Sequence, residues 1–294
     1  MGSPAVVRES KQAYVGHEGS VEEYRFDEEP FYIPVGDEVE VFLAAYAERS
    51  PVLLKGPTGT GKTRFLEHMA WRLGHSEARA DEGMPLITIA CHEDLTASDL
   101  VGRYLLKAEG TEWMDGPLTR AVRAGGICYL DEVVEARNDT IVVIHSLTDH
   151  RRLLPIAKRG VVLHAHEDFL LVVSYNPGYQ SSLKDMKPST RQRFVAIEFA
   201  HPSEEVEAKI IEHEAGVEPA VAASLATIGR QIRNLDAHGI VEGPSTRLLI
   251  YGGRLIQQGI SPRRACEVGI VHAITDDEVL QEGMAEVVAA TFDD

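Results

Sequence analysis

The 294-residue chain predicts an α/β P-loop fold in which a parallel-sheet sandwich is followed by an all-helical lid. Two observations predict it. Pro51-Val-Leu-Leu-Lys55 reads as a buried strand and runs directly into Gly56-Pro57-Thr58-Gly59-Thr60-Gly61-Lys62-Thr63, a G-x-x-x-x-G-K-T loop with a helical pattern behind it. Strand-like runs then alternate with helical ones as far as about residue 201, after which only helical patterns follow.

Residues 1–30 are polar and acidic with little periodicity, and are expected to form a partly ordered N-terminal arm. Residues 31–201 are expected to form the α/β nucleotide-binding domain. Within it Val39, Phe42, Leu43 and Tyr46 share one helical face, and Pro51 ends that helix. Phe65, Met69 and Leu73 mark the helix after the loop. A second strand covers 85–91, after a polar 74–83 connection. A short helix and turn over 94–104 leads into a loop through Trp113 and Asp115-Gly-Pro117, then a helix over 118–124. The third strand, 126–132, precedes a helix expected over 140–149 with Ile141, Ile144 and Leu147 buried. Residues 152–168 read as a hairpin turning at Lys158-Arg-Gly160. The run 169–176 is too apolar for a half-exposed strand, and 195–199 is a short fifth strand. Residues 202–294 are expected to form the helical lid, its last helix opened by a capping box of Thr275 and Glu278.

Forty-six acidic against twenty-nine basic residues give a formal net charge of −17. Such a chain has no general field for phosphate backbones, so nucleic acid is not an expected partner. A local basic patch remains open around Arg151, Arg152, Lys158 and Arg159. Cys91, Cys128 and Cys266 lie far apart without C-x-x-C spacing, which reads as buried, reduced thiols in a cytoplasmic protein. No apolar run approaches the ~18 residues of a membrane span.

The chemistry begins at the loop. Its glycines turn backbone N–H groups inward, Lys62 reaches the β- and γ-phosphates of a nucleoside triphosphate, and the Thr63 hydroxyl suits Mg²⁺. The strand ending in Asp131-Glu132 delivers one carboxylate to the metal's water shell and a second to the attacking water. Asn176 ends the next apolar strand, where an amide can bond both the γ-phosphate and the water; Asn before Pro-Gly is equally a turn signal. Arg191 and Arg193 read either as a solvated basic loop or as arginines offered to a neighbouring subunit's γ-phosphate. Arg247 opens a lid helix. Asp99-Leu-Val-Gly102 matches D-x-x-G, but no N-K-x-D accompanies it to read guanine. His164-Ala-His166-Glu-Asp168 looks metal-like, although alternation on a hairpin strand explains it as well; His92-Glu-Asp94 is similar.

Together these residues resemble an AAA+ ATPase, with Walker A at 56–63, Walker B at 127–132, sensor-one Asn176, arginine-finger candidates Arg191 and Arg193, and sensor-two Arg247. The insert over about 95–117 and the hairpin over 152–168 resemble the helix-two insert and pre-sensor-one hairpin of the MoxR group. Cys91-His-Glu-Asp-Leu, Asp99-Leu-Val-Gly-Arg-Tyr-Leu, Tyr129-Leu-Asp-Glu-Val-Val-Glu-Ala-Arg, Ser174-Tyr-Asn-Pro-Gly-Tyr-Gln and Ser189-Thr-Arg-Gln-Arg-Phe resemble the CbbQ/NorQ/NirQ branch, over nearly the whole chain from Tyr32. The resemblance implies a hexameric ring that hydrolyses ATP with Mg²⁺ and works with a von Willebrand factor A (VWA) domain partner. In CbbQ-type members that partner is CbbO and the client is inhibited Rubisco. In NorQ-type members the client is nitric oxide reductase. Ile274-Thr-Asp-Asp and Ala289-Ala-Thr-Phe292 look like the CbbQ tail. A small-molecule kinase, which also uses a P-loop and a lid, is the remaining reading.

Overall fold

A computed structural model describes residues 12–18, 21–76, 83–108, 110–177, 186–235 and 242–292, with side chains described from residue 23 onward. The chain divides into two compact units: Met1–Gly56 with Gly61–Glu198, and Pro57–Thr60 with Phe199–Asp294.

The first unit is built on a seven-stranded sheet. In chain order it contains β1 (Gln12–Glu18), β2 (Val21–Phe26), α1 (Glu38–Ala47), β3 (Val52–Lys55), α2 (Lys62–Gly74), β4 (Leu86–Ala90), α3 (Ala97–Val101), β5 (Gly102–Lys107), β6 (Gly110–Asp115), α4 (Pro117–Ala124), β7 (Ile127–Asp131), α5 (Asn138–Val142), β8 (Leu153–Ile156), β9 (Val161–His164), β10 (Leu170–Tyr175), α6 (Pro188–Arg191) and β11 (Val195–Glu198). The sheet order is β1-β2-β4-β7-β10-β3-β11, and β4, β7, β10, β3 and β11 run parallel. Chain order departs from spatial order between β3 and β4, because β7 and β10 insert between them. That reversal creates a switch point at the carboxyl ends of β3 and β10, where open α/β sheets take ligands. Val52, Leu53 and Leu54 are fully buried and β10 is buried throughout, since helices cover both faces of a parallel sheet. Leu118 and Val122 of α4 pack on one side with Cys128, Leu130 and Leu171. Phe65 of α2 meets Phe42 of α1 edge-on at 5.2 Å.

Three expectations are corrected in this unit. The segment read as an N-terminal arm holds a hairpin, β1 with β2, and β2 adds antiparallel to β4. Its charged sequence hides the strand because it closes a sheet edge rather than filling a core. The segment read as a loop before Asp115 is a second hairpin, β5 with β6, pairing Tyr104 with Trp113. Its strands stand largely exposed, so they lack the apolar alternation of a half-buried sheet. The helix expected over 140–149 is only α5 followed by a 3₁₀ turn at His145–Leu147. Thr140-Ile-Val-Val-Ile144 is an unbroken β-branched run, whose restricted side chains disfavour a long helix.

The segment 152–168 holds β8 and β9, antiparallel, with Pro155 opposite Val162. The two small hairpins are tied together. The Tyr104 and Trp113 rings meet edge-on at 5.1 Å, Arg159 lies 5.8 Å from the Trp113 ring centre, and Lys158 donates to Ser98 Oγ at 2.7 Å. The basic residues read as a possible patch are thus engaged locally. Arg151 pairs with Asp149, and Arg152 donates to the carbonyls of Arg49, His166 and Phe169.

The second unit carries α7 (Glu204–Ala215), α8 (Pro219–Arg233), α9 (Thr246–Gln257), α10 (Pro262–Cys266), a π-helical turn at Glu267–Val271, α11 (His272–Ile274) and α12 (Glu278–Thr291). Its core gathers Ile211, Leu225, Ile228, Leu249, Cys266, Ile270 and Met284. A buried ion pair crosses it. Arg233 donates to both oxygens of Glu207 at 2.8 and 2.7 Å, and Thr246 Oγ1 donates to Glu207 at 2.6 Å. The last helix is capped by Asp277, whose carboxylate accepts from Val279 and Leu280 N–H, rather than by the expected Thr275–Glu278 box. Thr275 Oγ1 instead accepts from Asp277 N–H, two residues before the cap.

Candidate nucleotide-hydrolysis site

Parallel register puts the ends of four strands at one sheet edge: Lys55 beside Tyr175, and Ala90 beside Asp131. From this edge emerge the 56–63 loop, Asp131-Glu132 and Asn176. Gly61, at φ 89°, is the N-cap of α2, so the loop enters the helix through a left-handed turn and leaves first-turn N–H groups free of intrahelical acceptors. A helix terminus of this kind suits an anion. The neighbouring stretch Pro57–Thr60 belongs to the second unit, where Thr58 N–H donates to Glu242 Oε1 at 3.1 Å. Gly59 has φ 70°, and a Cβ there would lie 2.4 Å from Ser245 Cβ, so both backbone conformation and space require glycine.

Lys62 is buried, and its ammonium donates to Gly56 O and to Asn176 Oδ1, each at 2.8 Å. The other end of the same amide donates from Nδ2 to Glu132 Oε1 at 3.2 Å. Asn176 therefore bridges the loop lysine and the carboxylate that follows β7. The amide orientation matches the charges, oxygen to ammonium and nitrogen to carboxylate. Asn176 is more than a turn former.

Glu132 sits at φ 53°, an unusual conformation for a side chain-bearing residue. Its backbone N–H is received by Ser174 Oγ at 3.0 Å. Ser174 donates to Asp131 Oδ1 at 2.6 Å, and the phenol of fully buried Tyr129 makes a short hydrogen bond to the same oxygen. The Tyr129 phenol also lies within hydrogen-bond distance of Ser174 Oγ, at 3.1 Å. Burial, with Asp131 next, pushes its pKa well above the ordinary value, so it remains a donor. Cys91 borders this cluster, its N–H on Asp131 O. Its thiol is pushed up to about 12 by burial, then by Asp131 and Glu132, which makes it inert at neutral pH.

Sequence reasoning missed Tyr129 and Ser174. A signal was present: each lies two residues before a named site residue on a strand, hence on the same face, and each carries a hydroxyl in an otherwise apolar run. Thr63 and Asp131 supply oxygen donors and share Tyr129 as a neighbour, which fits a hard cation such as Mg²⁺.

Arg191 closes α6 and Arg193 follows it, both exposed. Arg191 acts on the Lys55–Glu198 pair. Arg193 adds to burial in holding the His145 pKa down. Arg247 is exposed on the first turn of α9, two residues after the N-cap Ser245 that meets Gly59.

Sheet order, loop, carboxylate pair and bridging amide define a P-loop ATPase of the AAA+ class. Residues 51–194 match the model of the AAA domain (dynein-related subfamily), and 207–291 match that of the CbbQ/NirQ/NorQ C-terminal region. The chain is 56% identical to "Protein CbbQ" of Hydrogenophilus thermoluteolus over 92% of its own length and 98% of that protein. It is 53% identical to "Protein NorQ" of Paracoccus denitrificans, covering 90% and 94%. With "Denitrification regulatory protein NirQ" of Stutzerimonas stutzeri it shares 52%, covering 90% and 92%. The chain belongs to the CbbQ/NirQ/NorQ family of AAA+ ATPases. A point mutant of RuvB from Thermotoga maritima shares the fold, with TM-score 0.50 and 16% identity over 86% of this chain and 71% of that one. Among the described residues, no helix is long and apolar enough to cross a membrane.

Proposed function

We propose that this chain is the ATP-hydrolysing motor of a two-component Rubisco activase. It would assemble as a hexamer and work with a CbbO-type VWA-domain partner to release inhibited Rubisco. The α/β domain over 31–201 binds the nucleotide, and the lid over 202–294 contributes Arg247. The observation that carries the hydrolytic part is the bridge of Asn176 between Lys62 and Glu132. The client assignment is supported by 56% identity to a CbbQ protein and by the 274–277 and 289–292 segments.

In this reading Gly56, Pro57, Thr58, Gly59, Thr60 and Gly61 wrap the phosphates of ATP. The Lys62 ammonium exchanges Gly56 O and Asn176 Oδ1 for phosphate oxygens. Thr63 and Asp131 would hold Mg²⁺, which would supply positive charge against the phosphates. Asn176, freed at Oδ1, orients the attacking water, and Glu132 takes its proton as the oxygen bonds to the γ-phosphorus and the bond to the ADP oxygen breaks. Arg193 or Arg191 of a neighbouring subunit, with Arg247, balances charge on the transferred group.

The test is reconstitution. Purified chain with its VWA partner and ATP is expected to restore carboxylation to inhibitor-bound Rubisco, and Glu132→Gln is expected to bind ATP without turning it over. A wild-type ATPase rate in that variant rejects the role of Glu132. Failure to restore carboxylation with active ATPase rejects the client. A second reading, activation or metal loading of nitric oxide reductase, is favoured by the NorQ and NirQ identities of 53% and 52%. Co-purification of the VWA partner and its client separates the two.

A further inference from the structure

We infer that Tyr129 and Ser174 are positioning residues for hydrolysis, setting the Asp131 carboxylate and the backbone of Glu132. The inference rests on the roles of Asp131 and Glu132 proposed above.

The hydrogen-bond accounting is specific. The phenol of Tyr129 and the hydroxyl of Ser174 both converge on Asp131 Oδ1. Each hydroxyl has one proton to give. With both protons spent there, Oδ1 is held from two sides and Oδ2 is the oxygen left to face a cation. The two hydroxyl oxygens also lie 3.1 Å apart, so the phenol and the serine brace each other as well as the carboxylate.

Ser174 acts on the other carboxylate through the main chain. Its oxygen, having given its proton to Asp131, accepts the N–H of Glu132, whose φ is 53°. A left-handed conformation in a residue with a side chain persists only where surroundings fix it. Here the fixing partner lies on β10, two residues before Asn176, which meets the Glu132 carboxylate. The same strand thus sets Glu132 at its backbone and at its carboxylate.

Tyr129→Phe and Ser174→Ala test the inference, with Ser174→Thr as the conservative variant. The first readout is the affinity of fluorescent mant-ADP with and without Mg²⁺, which involves no turnover. In Tyr129→Phe the Mg²⁺-dependent gain in affinity is expected to fall about tenfold, with Mg²⁺-free affinity unchanged. In Ser174→Ala, kcat is expected to fall about tenfold with the KM for ATP unchanged, and Ser174→Thr is expected to recover most of it. Unchanged Mg²⁺ dependence and unchanged kcat, in variants whose Mg²⁺-free mant-ADP affinity shows them folded, overturn the inference. Glu132→Gln is run beside them. If it is inactive while Tyr129→Phe and Ser174→Ala behave as wild type, only the positioning role falls. If it turns over ATP normally, the site reading itself falls.

Discussion

Asn176 holds an ammonium at one end of its amide and a carboxylate at the other, so its loss removes two charge-assisted hydrogen bonds at once. Asn176→Ala is expected to keep mant-ATP binding within about threefold while lowering ATP turnover about 10²-fold, the scale seen when one preorganised donor is removed. Stopped-flow binding beside steady-state turnover checks the split. Gly59→Ala fails earlier. Its φ of 70° and the 2.4 Å approach to Ser245 Cβ combine strain of about 1–2 kcal/mol with an overlap. Mant-ADP titration should show weakened binding. At this scale the loop, Asp131, Glu132 and Asn176 were legible, because each ends an apolar run with a chemically distinctive group. Tyr129 and Ser174 were not, because a hydroxyl inside an apolar strand announces its partner only once the neighbouring strand is known to be β10 or β7.

Helix α2 carries a buried histidine behind the phosphate loop. Burial, reinforced by Arg72 and opposed by Glu29 and the Pro30 carbonyl, lowers the His68 pKa below 6.5. The neutral ring is the folded form, so its contribution to stability is full above pH 6.5 and is lost as pH falls through the lower folded value. Thermal unfolding from pH 7.5 to 5.5 should therefore show a drop that is smaller in His68→Gln. In the lid, Glu207 is 1% exposed and bonded by both Arg233 and Thr246. Arg233→Met strands that carboxylate and is expected to cost about 3–5 kcal/mol in denaturant unfolding. Element types were read well wherever burial imposed a period. They failed at β2, β5 and β6, which are charged or exposed, and at 140–149, where apolar spacing mimicked a helix that five β-branched residues resist.

The parallel sheet and the helices after Pro202 were foreseeable because strand–helix alternation admits few topologies. The switch point follows from that order and from the loop's place in it. Assembly is a different matter, since Arg191 and Arg193 are exposed and nothing in a single chain says whose phosphate they meet. Arg193→Ala is expected to abolish ATP turnover while retaining nucleotide binding. Mixed with Glu132→Gln, which supplies an intact arginine, it should regain part of its activity; no recovery would assign the role to Arg191 or to the subunit's own site. One further consequence concerns the paired hairpins. Arg159 resting on Trp113 and Lys158 anchored to Ser98 cross-brace β5–β6 to the turn of β8–β9. Past β9, His166 N–H is bonded to Val122 O of α4, and Leu170 N–H to Gly126 O at the base of β7. Leu106, 86% exposed, thus stands on a hairpin that is tied, through β8–β9 and the chain after it, to α4 and to the start of β7.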